Sequence, residues 1–313
     1  MNNYEWQLWL IKHPPNTWFD AIGAKMPDLV TLTISLVIEA LPFVVLGVAL
    51  SVLIRLFVSH HMIVHYLPGN VVLRRACISL FGVLMPVCEC GNVPVARGLM
   101  AKGFSVGDAT VFLLAAPIIN PITILVTWQA FSFDKSVLAW RLIAALVIAN
   151  VVGYIIGRLH RRRSVLTDDF TALCEADEHP RRSWRSGLEL FREELWLMMR
   201  LLAFGALVAA AVQVVIPREV IVDIGTNPVL GVAAMVLLGF IISICSSVDA
   251  FFALAYADAF STGAIVAFLV AGPMVDIKMV SILKTTFRWP VLLLIAGLVA
   301  MFAFLIGVGI AYV

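Results

Sequence analysis

Long apolar runs alternate with short polar interruptions along this chain. Residues 29–58, 109–131, 137–156, 195–215, 229–245, 264–283 and 291–313 carry few charges, and about 20 apolar residues cross a bilayer as a helix. Residues 71–87 form a marginal further run. The pattern predicts an all-α, polytopic membrane protein of roughly eight transmembrane helices. Two interruptions break the apolar pattern in a specific way, "MPVCECGNVP" at 85–94 and "AAPIINP" at 115–121. Both place proline within apolar sequence, which predicts discontinuous or re-entrant helices.

The interruptions recur. "FSVGDATVFLLAAPIINP" (104–121) aligns with "FSTGAIVAFLVAGPMVDI" (260–277), matching Phe, Ser, Gly, a second Phe, Leu, Ala and Pro in register. Cys88 then falls near Cys245 and Asn92 faces Asp249, while "EALPF" at 39–43 lies over "RLLAF" at 200–204. The chain therefore divides into an N-terminal interfacial segment (1–28), a first transmembrane repeat (29–158), a basic cytoplasmic linker (159–192) and a second transmembrane repeat (193–313). An even number of crossings per half makes the halves parallel, with both termini in the cytoplasm. An odd number, with 71–87 dipping in and returning through the too-short 93–103, inverts them. The loop 59–70 lacks Lys and Arg, as an outward loop does, while Arg74 and Arg75 follow closely; the balance favours the even count.

Composition agrees with the pattern: of 313 residues, 62% are hydrophobic and 13% charged, and the mean hydropathy of +1.00 exceeds what a soluble core needs. Trp6, Trp9 and Trp18 with Pro14 and Pro15 suit the headgroup zone, and no signal peptide is read there. The net charge of +2 matters less than its placement. Arg158, Arg161, Arg162, Arg163, Arg181, Arg182, Arg185 and Arg192 crowd the one long polar connection, which puts it in the cytoplasm and marks topology and lipid contact rather than a nucleic-acid surface. Five cysteines, Cys77, Cys88, Cys90, Cys174 and Cys245, are odd in number and mostly in apolar sequence, against a disulfide framework.

Residues two apart on a helix point about 200° from each other, so Cys88 and Cys90 of "CEC" reach one centre only in extended or irregular backbone, which Pro86, Gly91 and Pro94 favour. Joined by Cys245 from the other half, the two thiolates suit zinc, copper(I) or a trivalent metalloid. The competing reading is three small, buried, apolar side chains. Glu89, Asp249 and Asp276 are carboxylates in apolar sequence, and Glu39 is a fourth. Such a group costs at least about 2.5 kcal/mol at a helix centre and ordinarily marks an ion or proton route. Asp249 and Asp276 are candidates for substrate or coupling-ion binding; pairing of Glu39 with Arg200, or of Asp276 with Lys278, is the structural alternative. Asn120, between Pro117 and Pro121, answers to Asp276 after Pro273, where freed carbonyls and half-helix termini hold ions. With Asn92 and Ser247 these residues form the candidate substrate-binding set. They are expected to converge near mid-membrane, with Cys88 and Cys245 on corresponding sides of a pseudo-two-fold axis. His60, His61 and His65 read as solvated loop residues.

"CECGNVPVARGLMAKG", "FLLAAPIINPITIL", "CSSVDAFFALAYADAFSTGA" and "FLVAGPMVDIKM" resemble the predicted-permease family that includes bacterial organoarsenical efflux permeases of the ArsP type. The resemblance runs from about Leu29 to Val313 and implies a multi-pass inner-membrane permease. "VDAFFA" and "GPMVDIK" are similar to a broader branch, whose members resemble one subunit of a two-component permease. The first motif departs from the family pattern at Glu89, where a small residue is more usual. The expected function is movement of a small solute, such as a metal, metalloid or organoarsenical, through a site at the interface of the repeats. Its expected partners are that substrate, membrane lipids and a second permease subunit, with no nucleic acid and no cofactor. The alternatives are a non-transporting subunit or scaffold of a two-component complex, and an intramembrane enzyme. The last is disfavoured because no "HExxH" and no Cys–His pair occurs within a span.

Overall fold

The computed structural model describes residues 18–58, 68–84, 88–159, 165–176, 184–215 and 227–312. His60, His61, His65, Trp6, Trp9, Pro14, Pro15, Pro86, Arg161, Arg162, Arg163, Arg181 and Arg182 lie outside them. The described residues are helical, with no strand beyond an isolated bridge between Leu166 and Phe287. Five helical stretches are long and apolar enough to cross a membrane: Met26–Phe57, Lys135–Arg158, Arg185–Val214, Thr262–Leu283 and Trp289–Ala311. The protein is an all-α, polytopic membrane protein.

In chain order the helices are α1 (Trp18–Phe57), α2 (Val71–Ser79, continued by a 3-10 turn at Leu80–Leu84), α3 (Glu89–Ala101), α4 (Val106–Ala115), α5 (Pro121–Ala130), α6 (Lys135–Leu159), α7 (Asp168–Ala176), α8 (Trp184–Val215), α9 (Pro228–Ile242), α10 (Asp249–Leu254), α11 (Thr262–Met274), α12 (Ile277–Leu283) and α13 (Trp289–Ala311). The first of these begins before the apolar run at 29 and passes through Pro27 and Pro42.

The end of α6 and the start of α8 flank the basic connection and mark one end of the molecule. Contacts place the other helix termini relative to it. Arg55, near the end of α1, pairs with Glu194, early in α8, at 3.7 Å. A Cβ on Gly107, at the start of α4, would meet Gly157, near the end of α6, at 3.0 Å. The turn between α12 and α13 bonds to residues just before α7, Thr286 O accepting from Thr167 N at 3.0 Å and Val165 O from Arg288 N at 2.9 Å. Thus α1, α6 and the α11–α12 pair run toward the connection end, whereas α8, α13 and the α4–α5 pair run away from it.

The remaining segments are two hairpins. From the connection end, where Arg75 lies against Gly107 and Gly157, α2 runs inward until Gly82 abuts Ala116 and Ile119 between α4 and α5. By helical rise, residues 71–84 span roughly 23 Å, short of the ~30 Å hydrocarbon core. Helix α3 then returns, its Arg97 reaching Thr286 Oγ1 at 3.0 Å at the connection end. Opposite, α9 enters with Val232 beside Gly307 and stops where Gly239 meets Gly272. Its partner α10 leads back toward the start of α11. The even count of crossings favoured from loop charge is therefore not what the helix directions give. The Lys/Arg-free loop at 59–70 misleads because the basic pair Arg74 and Arg75 is consumed by Asp108, at 2.9 and 3.2 Å.

Glycines allow the close approaches. A Cβ on Gly47 of α1 would collide with the Gly91 carbonyl of α3, and one on Gly263 of α11 with the Gly307 carbonyl of α13. Small residues at such crossings give van der Waals packing, which drives helix association in lipid.

Candidate functional site

The two hairpins turn near one another, and the same local turn occurs in each. The Cys88 carbonyl accepts from Gly91 N and Asn92 N, both at 3.1 Å; the Cys245 carbonyl accepts from Val248 N at 3.0 Å and Asp249 N at 3.1 Å. Cys88 caps α3 in extended conformation, which brings its thiol off the helix and back toward the other hairpin. One ligand atom each from Cys88, Glu89 and Cys245 lies within 4.8 Å of the others, all three residues buried. The Cys90 thiol is near that of Cys88, but Cys90 sits within α3 and outside this trio. Ser247 donates to Cys245 Sγ at 3.3 Å, and the Cys245 thiol faces Glu89 Oε2 at 3.7 Å.

Lys278, in the first turn of α12, is 1% exposed. Its ammonium donates to Glu89 Oε1 at 3.3 Å and to the Ser243 carbonyl at 3.1 Å. Ser243 makes that carbonyl available by ending α9 in the left-handed region, φ 52, an uncommon conformation for a non-glycine residue. Lys278 thus pairs with Glu89, across the two halves, rather than with its neighbour Asp276. The chain neighbour is held elsewhere: Asp276 caps α12, Oδ1 accepting from Met279 N at 2.5 Å, while Oδ2 is buried without a hydrogen bond. Glu39 is within electrostatic reach of Lys278 and Glu89. No ion pair joins it to Arg200 among the described residues; the Arg200 guanidinium lies 5.5 Å over the Trp196 ring.

The other predicted residues divide between caps and a second pair. Asn120 caps α5 by accepting from Ile122 N at 2.9 Å, and the Pro117 carbonyl, freed by the break, accepts from Thr123 Oγ1 at 3.0 Å. Pro273 is buried as the penultimate residue of α11, next to the break after Met274. Asn92 is buried, and neither of its side-chain polar atoms has a hydrogen-bond partner. Asp249 lies apart from the trio in a two-pronged pair with Arg141, at 3.1 and 2.5 Å; Arg141 also donates to Thr127 Oγ1 at 2.7 Å. Both oxygens being engaged, Asp249 takes up an ion only if that pair opens.

Sequence reasoning missed Arg141, although a lone arginine in an apolar run is itself a signal. It missed Lys278 as the partner of Glu89, and had no signal for Ser243. It also missed a polar cluster at the connection end. There Glu194 accepts from Arg97 Nε at 3.3 Å and Ser51 at 3.2 Å, and Phe170 of α7 stacks 4.4 Å from the Arg97 guanidinium.

Two sulfurs and a carboxylate oxygen suit a soft or borderline cation. Tetrahedral coordination at zinc-like bond lengths sets ligand atoms roughly 3.5–3.8 Å apart, so the trio needs a small contraction to close on an ion.

A family model described as a predicted permease matches residues 25–312. The chain is similar to UPF0718 protein YcgR of Bacillus subtilis, 36% identical over 262 residues that cover 83% of this chain and 89% of that protein. It is also similar to a Streptococcus mutans protein provisionally named a two-component membrane permease complex subunit, 31% identical over 297 residues, 93% of this chain and 98% of that one. No solved structure gives a significant match.

Proposed function

Because the chain belongs to the predicted-permease family, we propose that it moves a small thiophilic solute, a soft metal ion or a metalloid species, through a site where its two hairpins meet. The observation on which this rests is the convergence of Cys88, Glu89 and Cys245 within 4.8 Å, from the turn of one hairpin and the turn of the other, in the buried interior. Binding of a soft cation to the thiols displaces their protons.

The two halves are proposed to be inverted repeats of three crossings and one re-entrant hairpin each. Their matching turns at Cys88 and Cys245 support this, as do caps at corresponding positions, Ser105 with Ser261 and Asn120 with Asp276. So does the packing of α3 on α12 and of α10 on α5, each hairpin's second arm lying against the far half-helix of the other repeat. Rocking of one repeat against the other about a fixed central site is how such folds expose cargo alternately. With the basic connection in the cytoplasm, the connection-end cluster of Arg97, Arg55 and Glu194 closes the inner side. A second permease subunit is favoured by the name of the S. mutans relative alone.

Purified chain reconstituted in sealed vesicles is expected to take up cadmium, copper(I) or a trivalent arsenical faster than protein-free vesicles. Equal rates for every thiophilic solute, with the chain alone and with its co-purified partner, contradict the permease reading.

A further inference from the structure

Lys278 occupies the place that a cationic cargo would take. Its ammonium is buried among Cys90, Glu89, Asp276 and Cys245, touching Glu89 Oε1 at 3.3 Å, while the other Glu89 oxygen faces the Cys245 thiol. A cation drawn into the Cys88, Glu89 and Cys245 trio would compete with the ammonium for Glu89; the thiol protons that leave offset up to two of its charges, so the contest is for the carboxylate rather than between net charges. A destination for the ammonium exists two residues away. Asp276 spends one oxygen on the cap of α12, and Oδ2, buried with the Ser243 hydroxyl nearby, makes no hydrogen bond of good geometry, an arrangement that leaves it able to take a stronger donor.

We propose that Lys278 is the resident cation of the transport site, displaced from Glu89 by cargo and received by the free oxygen of Asp276. This rests on the thiophilic-permease reading above and adds to it a selection rule: the site takes cations over neutral solutes, because a neutral solute does not expel the ammonium. The exchange also links occupancy to motion. Glu89 stands at the start of α3 and Lys278 on α12, so their pair ties the first half to the second. Cargo that takes Glu89 cuts that tie, and a ligand shifts a two-state equilibrium by just such differential contact. Lys278 acts here as a positioning and specificity residue; it does not bind the cargo.

The test uses the full chain in lipid nanodiscs, Cd2+ as the probe, and calorimetric titration alongside uptake in vesicles. Lys278→Met removes the competitor and leaves Glu89 uncompensated, so Cd2+ is expected to bind on the order of tenfold tighter or more, while uptake falls by a similar factor because release is slowed. Lys278→Arg keeps the charge and is expected not to tighten binding. Asp276→Asn preserves the cap but removes the receiving charge; Cd2+ affinity is expected to stay within about threefold, while the uptake rate drops at least about fivefold. The double variant Glu89→Gln with Lys278→Met removes both charges together and provides a folded reference should Lys278→Met fail to accumulate; it is expected to bind Cd2+ no tighter than wild type. Unchanged or weaker Cd2+ binding in Lys278→Met, tightening in Lys278→Arg, tighter binding in the double variant, or normal uptake in Asp276→Asn overturns the resident-cation role alone. No Cd2+ binding to wild type overturns it together with the thiophilic reading.

Discussion

Cys88→Ser and Cys245→Ser are each expected to reduce thiophilic-cation uptake at least about a hundredfold, while the protein still inserts and elutes as a monodisperse species. The expectation follows from ligand chemistry. Serine has nearly the shape of cysteine but offers a hard, neutral oxygen that a soft ion binds poorly, and each residue supplies one of three converging donors. Cys90→Ser is expected to weaken uptake by a smaller factor, on the order of tenfold, as for an outer neighbour of a ligand, because the Cys90 thiol is near that of Cys88 but stands outside the trio. Cys77→Ser and Cys174→Ser are expected to be silent, since Cys77 is exposed on α2 and Cys174 lies on α7 in the connection. Equal uptake by the Cys88, Cys245 and Cys174 variants would remove thiol ligation from the account.

Arg141→Met has the largest expected effect on stability. Arg141 is 0% exposed, and its two bonds to Asp249 with a third to Thr127 hold α6, α10 and α5 together. Taking away the guanidinium leaves a buried, uncompensated carboxylate, which in a folded protein costs about 3–5 kcal/mol. The variant is expected to lose most of its membrane abundance and to unfold at a markedly lower temperature in detergent. Because replacing both members of a buried pair is often close to neutral, Arg141→Met combined with Asp249→Asn is expected to recover most of the abundance and most of the melting temperature. A single variant as stable as wild type would show that Asp249 is compensated in some other way. A double variant as unstable as the single one would show that the guanidinium acts through packing instead.

Much of the architecture is legible in hydropathy because lipid imposes a uniform demand: backbone polar groups must be satisfied within helices, so spans announce themselves as long apolar runs. The breaks are legible for the complementary reason. Pro117 and Pro121, and later Pro273, mark interrupted helices, and the breaks fall beside them, before Pro121 and after Met274; that Asn120 and Asp276 cap the helices that follow is seen only in the structure. Direction is less legible. Whether residues 71–87 cross or turn back depends on a shortfall of a few ångströms and on where Gly82 lands, against Ala116 and Ile119, and neither leaves a mark in composition.

Partner choice was legible least of all. Sequence proximity suggests Asp276 as the partner of Lys278, yet the ammonium, though close to Asp276, donates to Glu89, 189 positions away. Glu39 and Arg200 align between the halves but alignment is not contact, and Arg200 turns instead to Trp196. Asp249 was readable as an intramembrane carboxylate, and its role as the partner of a buried arginine needed Arg141 to be weighed as heavily as the acids were. An isolated basic residue within a span is as costly as an acidic one.

The most direct measurement of the central claim, that the two hairpins meet in one transport site, is uptake by vesicles carrying a chain with Cys77, Cys90 and Cys174 replaced by alanine, before and after oxidative disulfide formation between Cys88 and Cys245. To report the bond on a denaturing gel, the chain is expressed as two fragments divided between residues 177 and 183. The account predicts that the fragments become covalently joined, that uptake stops when they are, and that a reducing agent restores both the separate bands and the uptake. Fragments that never join, or joined fragments that carry solute at the reduced rate, would contradict it.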